Sequence, residues 1–169
     1  VLTWNTNVQR ECTFVQQAAA TADVVCLQEV TAAAADWLVS NLGDAFHVVT
    51  PTMCGAAWSN EGLGLAVLAR KTLFEVQRHK VHPLTPDQER NLMAVRLTVP
   101  RSRLALLVAT AHLESGADRG DQRRKQLREV CALLRDDSAD AVLFAGDLNL
   151  RDAEGAAQGL GEDAWVLAG

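Results

Sequence analysis

Nothing in this 169-residue chain is long and apolar enough to cross a bilayer: no stretch approaches the roughly 18–20 consecutive apolar residues that a spanning helix needs. No basic segment followed by an apolar one opens it, so no secretory leader is expected. The chain begins Val1-Leu2-Thr3-Trp4 without Met, directly in what reads as a strand, and its native start is expected to have been lost. It has no internal repeat and no low-complexity linker, which leaves one domain over residues 1–169. Paired thiols are missing too. Cys12, Cys26, Cys54 and Cys131 never fall at C-x-x-C spacing, and Cys26 and Cys131 sit inside apolar runs. Buried free thiols in an intracellular protein are therefore expected. Nor is there an excess of basic charge. A net charge of −5 and a pI near 5.3 argue against a protein that coats nucleic acid, while leaving room for a local basic groove.

What is present is a globular composition, 49% hydrophobic and 22% charged, enough for a substantial core. Apolar runs of strand length recur at Val1–Trp4, Val24–Leu27, Leu65–Ala69, Leu92–Val99, Leu104–Thr110 and Val142–Ala145. Several are continuous rather than alternating, the pattern of strands covered on both faces. Helical spacing is found over 8–22 (Val8, Cys12, Val15, Ala19) and over 121–135 (Leu127, Val130, Cys131, Leu134). Thr31 can cap a third helix through Trp37, Leu38 and Leu42, with Gly43 as its stop. Pro51, Gly55, Pro83, Pro86 and Pro100 mark loops, and the runs flanking Pro100 read as a hairpin. These elements make an α/β layered sandwich with mixed strand directions.

Polar residues gather where the apolar runs stop. Trp4 leads into Asn5, Leu27 into Gln28-Glu29, Thr110 into Ala111-His112-Leu113-Glu114-Ser115, and Ala145 into Gly146-Asp147-Leu148-Asn149. Such convergence suggests a crevice at the strand ends. In extended backbone, residues i and i+2 share a side, so Asp147 and Asn149 would face the crevice together, as would His112 and Glu114; Gly146 would let the chain bend before Asp147. Glu29, Asp147, Asn149 and Asn5 offer hard oxygen donors, suited to Mg²⁺ or Mn²⁺ rather than zinc. A carboxylate there can position or deprotonate an attacking water, while His112 and Asn149 can hold non-bridging phosphate oxygens. Arg119, Arg123, Arg124, Lys125 and Arg128 ordinarily form a solvated helix face, although Arg123 and Gln126 at i,i+3 could border a phosphate crevice. Gly62-Leu63-Gly64 is a loop or bulge, and His79 and His82 fall on an apparent loop.

At these same residues the chain resembles the endonuclease/exonuclease/phosphatase superfamily, which includes DNase I and the abasic-site endonucleases, and within it the tyrosyl-DNA phosphodiesterase branch. The matching segments are Thr3-Trp4-Asn5, Asp23 to Val30, Arg90-Asn91-Leu92, His112-Leu113-Glu114-Ser115, Phe144 to Asp152, and Asp163-Ala164-Trp165. The resemblance implies a four-layer, DNase I-like α/β sandwich and a Mg²⁺-dependent hydrolase of a tyrosine–DNA 5′ phosphodiester, with a DNA end as partner and neither membrane nor obligate protein partner. It implies that Glu29 ligates the metal, with Asn5 behind it, and that Asp147 aligns water. Asn149, His112 and Ser115 would contact phosphate, Arg151 would face the scissile phosphate, and Arg90, with Asn91 in the same segment, would lie beside the metal and substrate.

The family pattern continues with Thr-Trp-Asp and Ser-Asp-His segments that do not occur before Gly169. The chain is therefore expected to be the larger, N-terminal part of its domain and inactive alone. Gly116 and Ala117 replace the branch's usual Thr and Arg, for which Arg119 could substitute. With no tyrosine in the chain, any aromatic wall must come from another residue type. Other readings stay open: a different phosphodiesterase or nuclease on the same scaffold, a catalytically inactive scaffold copy, or an α/β domain binding another ligand.

Overall fold

The computed structural model describes residues 1–7, 12–59, 61–85, 89–135 and 137–151. In chain order the elements are β1 (Leu2–Asn5), α1 (Thr13–Ala19), β2 (Val24–Thr31), α2 (Ala32–Leu42), β3 (Phe46–Val49), a 3-10 turn (Thr52–Cys54), β4 (Leu63–Arg70), β5 (Glu75–Pro83), β6 (Asn91–Val99), β7 (Leu104–Ala111), α3 (Gly120–Arg135) and β8 (Ala141–Phe144). The strands form two sheets of mixed direction. One has the order β1-β2-β4-β3, with β1 parallel to β2; the other has the order β5-β6-β7-β8, with β7 parallel to β8.

Three apolar clusters fill the three interfaces of a four-layer stack. Side chains alternate across a strand, so each central strand serves two cores. From β2, Val25 and Leu27 pack with α1 and α2, while Val24 and Cys26 meet the second sheet. From β4, Ala66 and Leu68 take the helix side, and Leu65, Val67 and Ala69 the sheet side. In the second sheet, Met93, Val95, Leu97 and Val108 complete the inter-sheet core, while Leu92, Leu107, Ala109 and Ala111 pack beneath α3 on Leu127, Val130 and Leu134. This double burial is why the runs in sequence are continuous. The α/β sandwich with mixed sheets is as expected, as is the hairpin β6–β7.

Some details differ. The first helix spans Thr13–Ala19 rather than 8–22, and Val8 lies outside the described residues. His79 and His82 belong to β5, an edge strand paired to β6, not to a loop. Thr31 does cap α2, accepting from Ala34 N at 3.1 Å. Gly43, however, ends α2 with a right-handed φ of −61°. Its value is close approach: a Cβ there would lie 2.3 Å from Val39 O. All four cysteines are free, three of them buried, and burial pushes the Cys26 thiol up to about 12. No helix among the described residues is long and apolar enough to cross a membrane.

Candidate active site

Parallel pairing sets the site. Because β1 runs alongside β2 and β7 alongside β8, each pair ends on one edge of its sheet, and the two edges face each other. Past the strand ends, a bridge between His112 and Asp147 and a bond from Leu113 N to Asp147 O (2.9 Å) prolong the second pair. Gly146 is required here for close approach rather than for bending, since a Cβ would sit 2.1 Å from Ala111 O.

On the first sheet the register of β2 slips between Leu27 and Val30, and Glu29 adopts a φ of +55°. Left-handed backbone at a non-glycine residue costs about 1–3 kcal/mol and persists only where its surroundings impose it. Thr6 imposes it. Its buried hydroxyl has one proton, within reach of the carbonyls of Glu29 (2.8 Å) and Gln28 (3.0 Å), and its amide donates to Gln28 O (2.8 Å). The buried Gln28 amide lies within reach of Thr3 Oγ1, Cys26 O and, across the sandwich, Thr110 Oγ1 at 3.0 Å. It stitches the two sheets directly beneath the crevice.

Four strand-end residues converge. Asn5 Nδ2 donates to Asp147 Oδ2 at 2.9 Å, while Asn5 Oδ1 accepts from Asn7 N. The amide is thus engaged at both ends and orients Asp147, rather than standing free as a donor toward a cation. His112 lies between two carboxylates, with Nδ1 3.7 Å from Glu29 Oε1 and Nε2 3.7 Å from Asp147 Oδ2. Arg90 Nη1 approaches His112 Nδ1 at 3.0 Å. A guanidinium only donates, so Nδ1 accepts and the neutral ring carries its proton on Nε2. Burial, reinforced by the Arg90 charge, pushes His112 below the ordinary histidine range, outweighing the opposite pull of Asp147 and Glu29. The two carboxylate contacts are therefore dipolar rather than full ion pairs. Burial also lowers Arg90, against the fields of Glu114, Glu29, Glu61 and Asp147. An open cleft leads to this centre, lined by Glu29, Glu61, Leu63, Arg90, Asn91 and His112.

The remaining expected residues are distributed differently. Asn149 does not share an extended strand with Asp147. Its φ is +48°, its amide faces Asp147 Oδ1 at 3.3 Å, and one side-chain N–H is engaged by Leu113 O at 3.1 Å. Leu148 packs on the α3 core, as expected. Ser115 sits half-buried just beyond Glu114, and Arg151 is exposed. Asp152 and the 163–165 segment lie outside the described residues. Arg123 and Gln126 do not border the crevice. Both are buried, Arg123 donating to Glu114 O and Gly116 O, and Gln126 bonding Glu114 N and Thr85 O. They brace the crevice wall from behind. Spacing alone told that they share a face of α3, not that this face points inward. Glu114, which strand-end spacing set facing the crevice with His112, is instead wholly buried, and Thr6 carries site geometry that the spacing did not single out.

Among the described residues, no three of His, Cys, Asp and Glu gather as an all-protein metal cage. The donors fit a hard cation held by few protein oxygens. Glu29 opens onto the cleft, Asp147 lies on the other side of the His112 ring, and both side chains keep partial exposure, as suits a hard divalent cation sharing its shell with water.

Comparison with known proteins follows the same lines. The chain is 36% identical over 98 residues to tyrosyl-DNA phosphodiesterase 2 of Danio rerio, covering 57% of this chain and 26% of that protein. It is 30% identical over 134 residues to the Homo sapiens protein, covering 78% of this chain and 34% of that one. The matched stretch is thus about a third or less of these curated relatives. The structure of D. rerio TDP2 complexed with single strand DNA product superposes with a TM-score of 0.74 at 29% identity, over 90% of this chain and 62% of the other. The human Nocturnin catalytic domain, at 18% identity and a TM-score of 0.62, shares the fold. Over residues 2–165 the chain matches one family model, and it belongs to the endonuclease/exonuclease/phosphatase family.

Proposed function

We propose that the protein containing this chain is a divalent-metal-dependent phosphodiesterase that hydrolyses 5′-tyrosyl-DNA linkages. The observation that carries this reading is the meeting of Asn5, Glu29, His112 and Asp147, drawn from the ends of four strands in two sheets, within hydrogen-bonding or near-contact distance of one another. The preference for a tyrosyl-linked DNA end is supported by the likeness to tyrosyl-DNA phosphodiesterases.

In this reading Glu29, presented by its left-handed backbone, holds Mg²⁺ or Mn²⁺, which when bound polarises a phosphoryl oxygen and neutralises charge on the leaving group. Asp147, fixed by the Asn5 amide, aligns the attacking water and accepts its proton. The Nε2–H of His112, the second N–H of Asn149 and the Ser115 hydroxyl donate to non-bridging oxygens. Arg90, Asn91 and Arg151 supply positive charge and donors along the cleft, where a guanidinium matches phosphate geometry.

The test is a 5′-phosphotyrosyl oligonucleotide offered to the full-length protein alongside abasic-site, lipid and sugar phosphodiesters. Release of 5′-phosphate DNA that stops in EDTA, returns with Mg²⁺ and disappears in Glu29→Ala is expected. Robust turnover in excess EDTA, or preference for another member of the panel, would overturn the assignment.

A further inference from the structure

Arg90 enters the cleft from the connection between β5 and β6, and the sheet holds little of that connection. β5 is an edge strand whose pairing with β6 ends at Pro83 and Asn91. Beyond it, Leu84 N donates to Arg90 O at 2.9 Å, and the Leu84 side chain is buried in the α3 core. The turn into Arg90 is strained: Glu89 has a φ of +53°, and Asn91 Nδ2 donates to Glu89 O at 3.0 Å. Such backbone persists only where its surroundings fix it. At the other end of the connection, α3 does the fixing. The Thr85 amide donates to Glu129 Oε2 at 2.8 Å, the Thr85 hydroxyl donates to Glu129 Oε1, and Gln126 Nε2 donates to Thr85 O at 3.3 Å. All three polar groups of Thr85 are thus engaged by two α3 residues that share a face at i,i+3. Connections that run over a surface ordinarily leave such groups to water. Here one carboxylate takes two donors of a single residue, and hydrogen bonds to an ionised acceptor are roughly twice as strong as neutral ones.

Direct contacts lead from this grip to the site. Thr85 follows Leu84, whose amide holds the Arg90 carbonyl, and Arg90 Nη1 lies 3.0 Å from His112 Nδ1. We propose that Glu129 is a positioning residue: by gripping Thr85 it fixes the connection between β5 and β6, and with it the Arg90 guanidinium against His112. The consequence for turnover rests on the proposed phosphodiesterase reading; the seating of Arg90 does not. Glu129 does not line the cleft and acts only through this connection. Arg90 kept on Nδ1 leaves Nε2–H of His112 as the donor toward the phosphate.

Glu129→Ala in the full-length protein tests this in two independent ways. On tyrosyl-linked DNA, kcat should fall about fivefold or more with KM changed less than about threefold. Glu129→Gln keeps an acceptor for the Thr85 amide and offers a donor to its hydroxyl oxygen, so it should recover most of the loss. In an Arg90→Gln background, Glu129→Ala should add little further loss. The second readout needs neither metal nor substrate. Arg90 Nε is shut from solvent. In protein labelled with ¹⁵N-arginine its N–H signal, identified by its loss in Arg90→Lys, should exchange about tenfold or more faster in Glu129→Ala than in the wild type. Turnover of Glu129→Ala within about twofold of wild type, no recovery in Glu129→Gln, a full additional loss in the Arg90→Gln background, or unchanged exchange of that signal would each overturn the role of Glu129. A wild-type protein that cleaves no phosphodiester probe counts against the proposed reaction alone, and the arginine signal still decides this one.

Discussion

Glu29 shows how one residue can serve chemistry at the expense of backbone comfort. Its φ of +55° belongs to a region that L side chains disfavour by roughly 1–2 kcal/mol, and the Thr6 hydroxyl holds it there. Glu29→Gly and Glu29→Ala should both abolish turnover, yet the glycine variant should be the more stable of the two by on the order of 1 kcal/mol in urea unfolding. Equal stabilities would mean that the left-handed backbone is not strained. His112 carries the pH signature. Because burial and Arg90 lower its proton affinity in the folded chain, the unfolded chain takes up the proton more readily. The stability tied to the neutral ring is thus fully present above pH 6.5 and is lost as pH falls below that value toward the folded pKa. His82, lowered by burial and by Lys80, acts with the same sign. Replacing His112 by Gln should flatten the fall in melting temperature as pH drops below 6.5, leaving the His82 share. A slope identical to wild type would count against a neutral His112.

At the level of elements, what the sequence made legible was whatever burial on both faces demanded. β2, β4, β6 and β7 are continuous apolar runs because each feeds two cores, and polar residues stand out where such runs end; hence Asn5, Glu29, His112 and Asp147. β5 escaped because an edge strand with one exposed face can be filled by Arg78, His79, Lys80 and His82, which read as loop residues. Arg123 and Gln126 were placed on the right helix face but on the wrong side of the wall, since i,i+3 spacing does not tell inside from outside when the inside is polar. Gly146 was read as a hinge, and the structure makes it a spacer. A methyl group 2.1 Å from Ala111 O cannot be absorbed by a flexible side chain, so the segment after β8 must move away from β7. Gly146→Ala should therefore cost about 1–3 kcal/mol in stability and displace Asp147, lowering kcat. Wild-type turnover in Gly146→Ala would show that Asp147 is positioned by Asn5 alone.

Taken whole, the molecule carries its site across a seam. Asn5 and Glu29 come from one sheet and His112 and Asp147 from the other, so their spacing depends on how the sheets are registered. Among the described residues β1 and β8 are the outer strands of their sheets, and they expose Trp4 and Val142. Open edges invite pairing with other chains. The 169-residue chain studied alone should accordingly scatter more light as its concentration rises, and concentration-independent scattering would argue that these edges are protected. Registration itself is held by the apolar inter-sheet core, which is not directional, and by two side-chain amides, which are: Gln28 inside the core and Asn5, on Asp147, at its rim. Apolar packing tolerates small slides; a 3.0 Å contact to Thr110 Oγ1 inside the core does not. Gln28→Leu leaves that buried hydroxyl without its partner and should cost about 1–3 kcal/mol. In a Thr110→Val background the orphaned hydroxyl is gone, so the same substitution should cost distinctly less. Urea unfolding of the four proteins closes the cycle. If Gln28→Leu costs the same in both backgrounds, the Gln28 amide is not what couples the sheets, and the spacing of the site must be left to the apolar core and the Asn5–Asp147 bond.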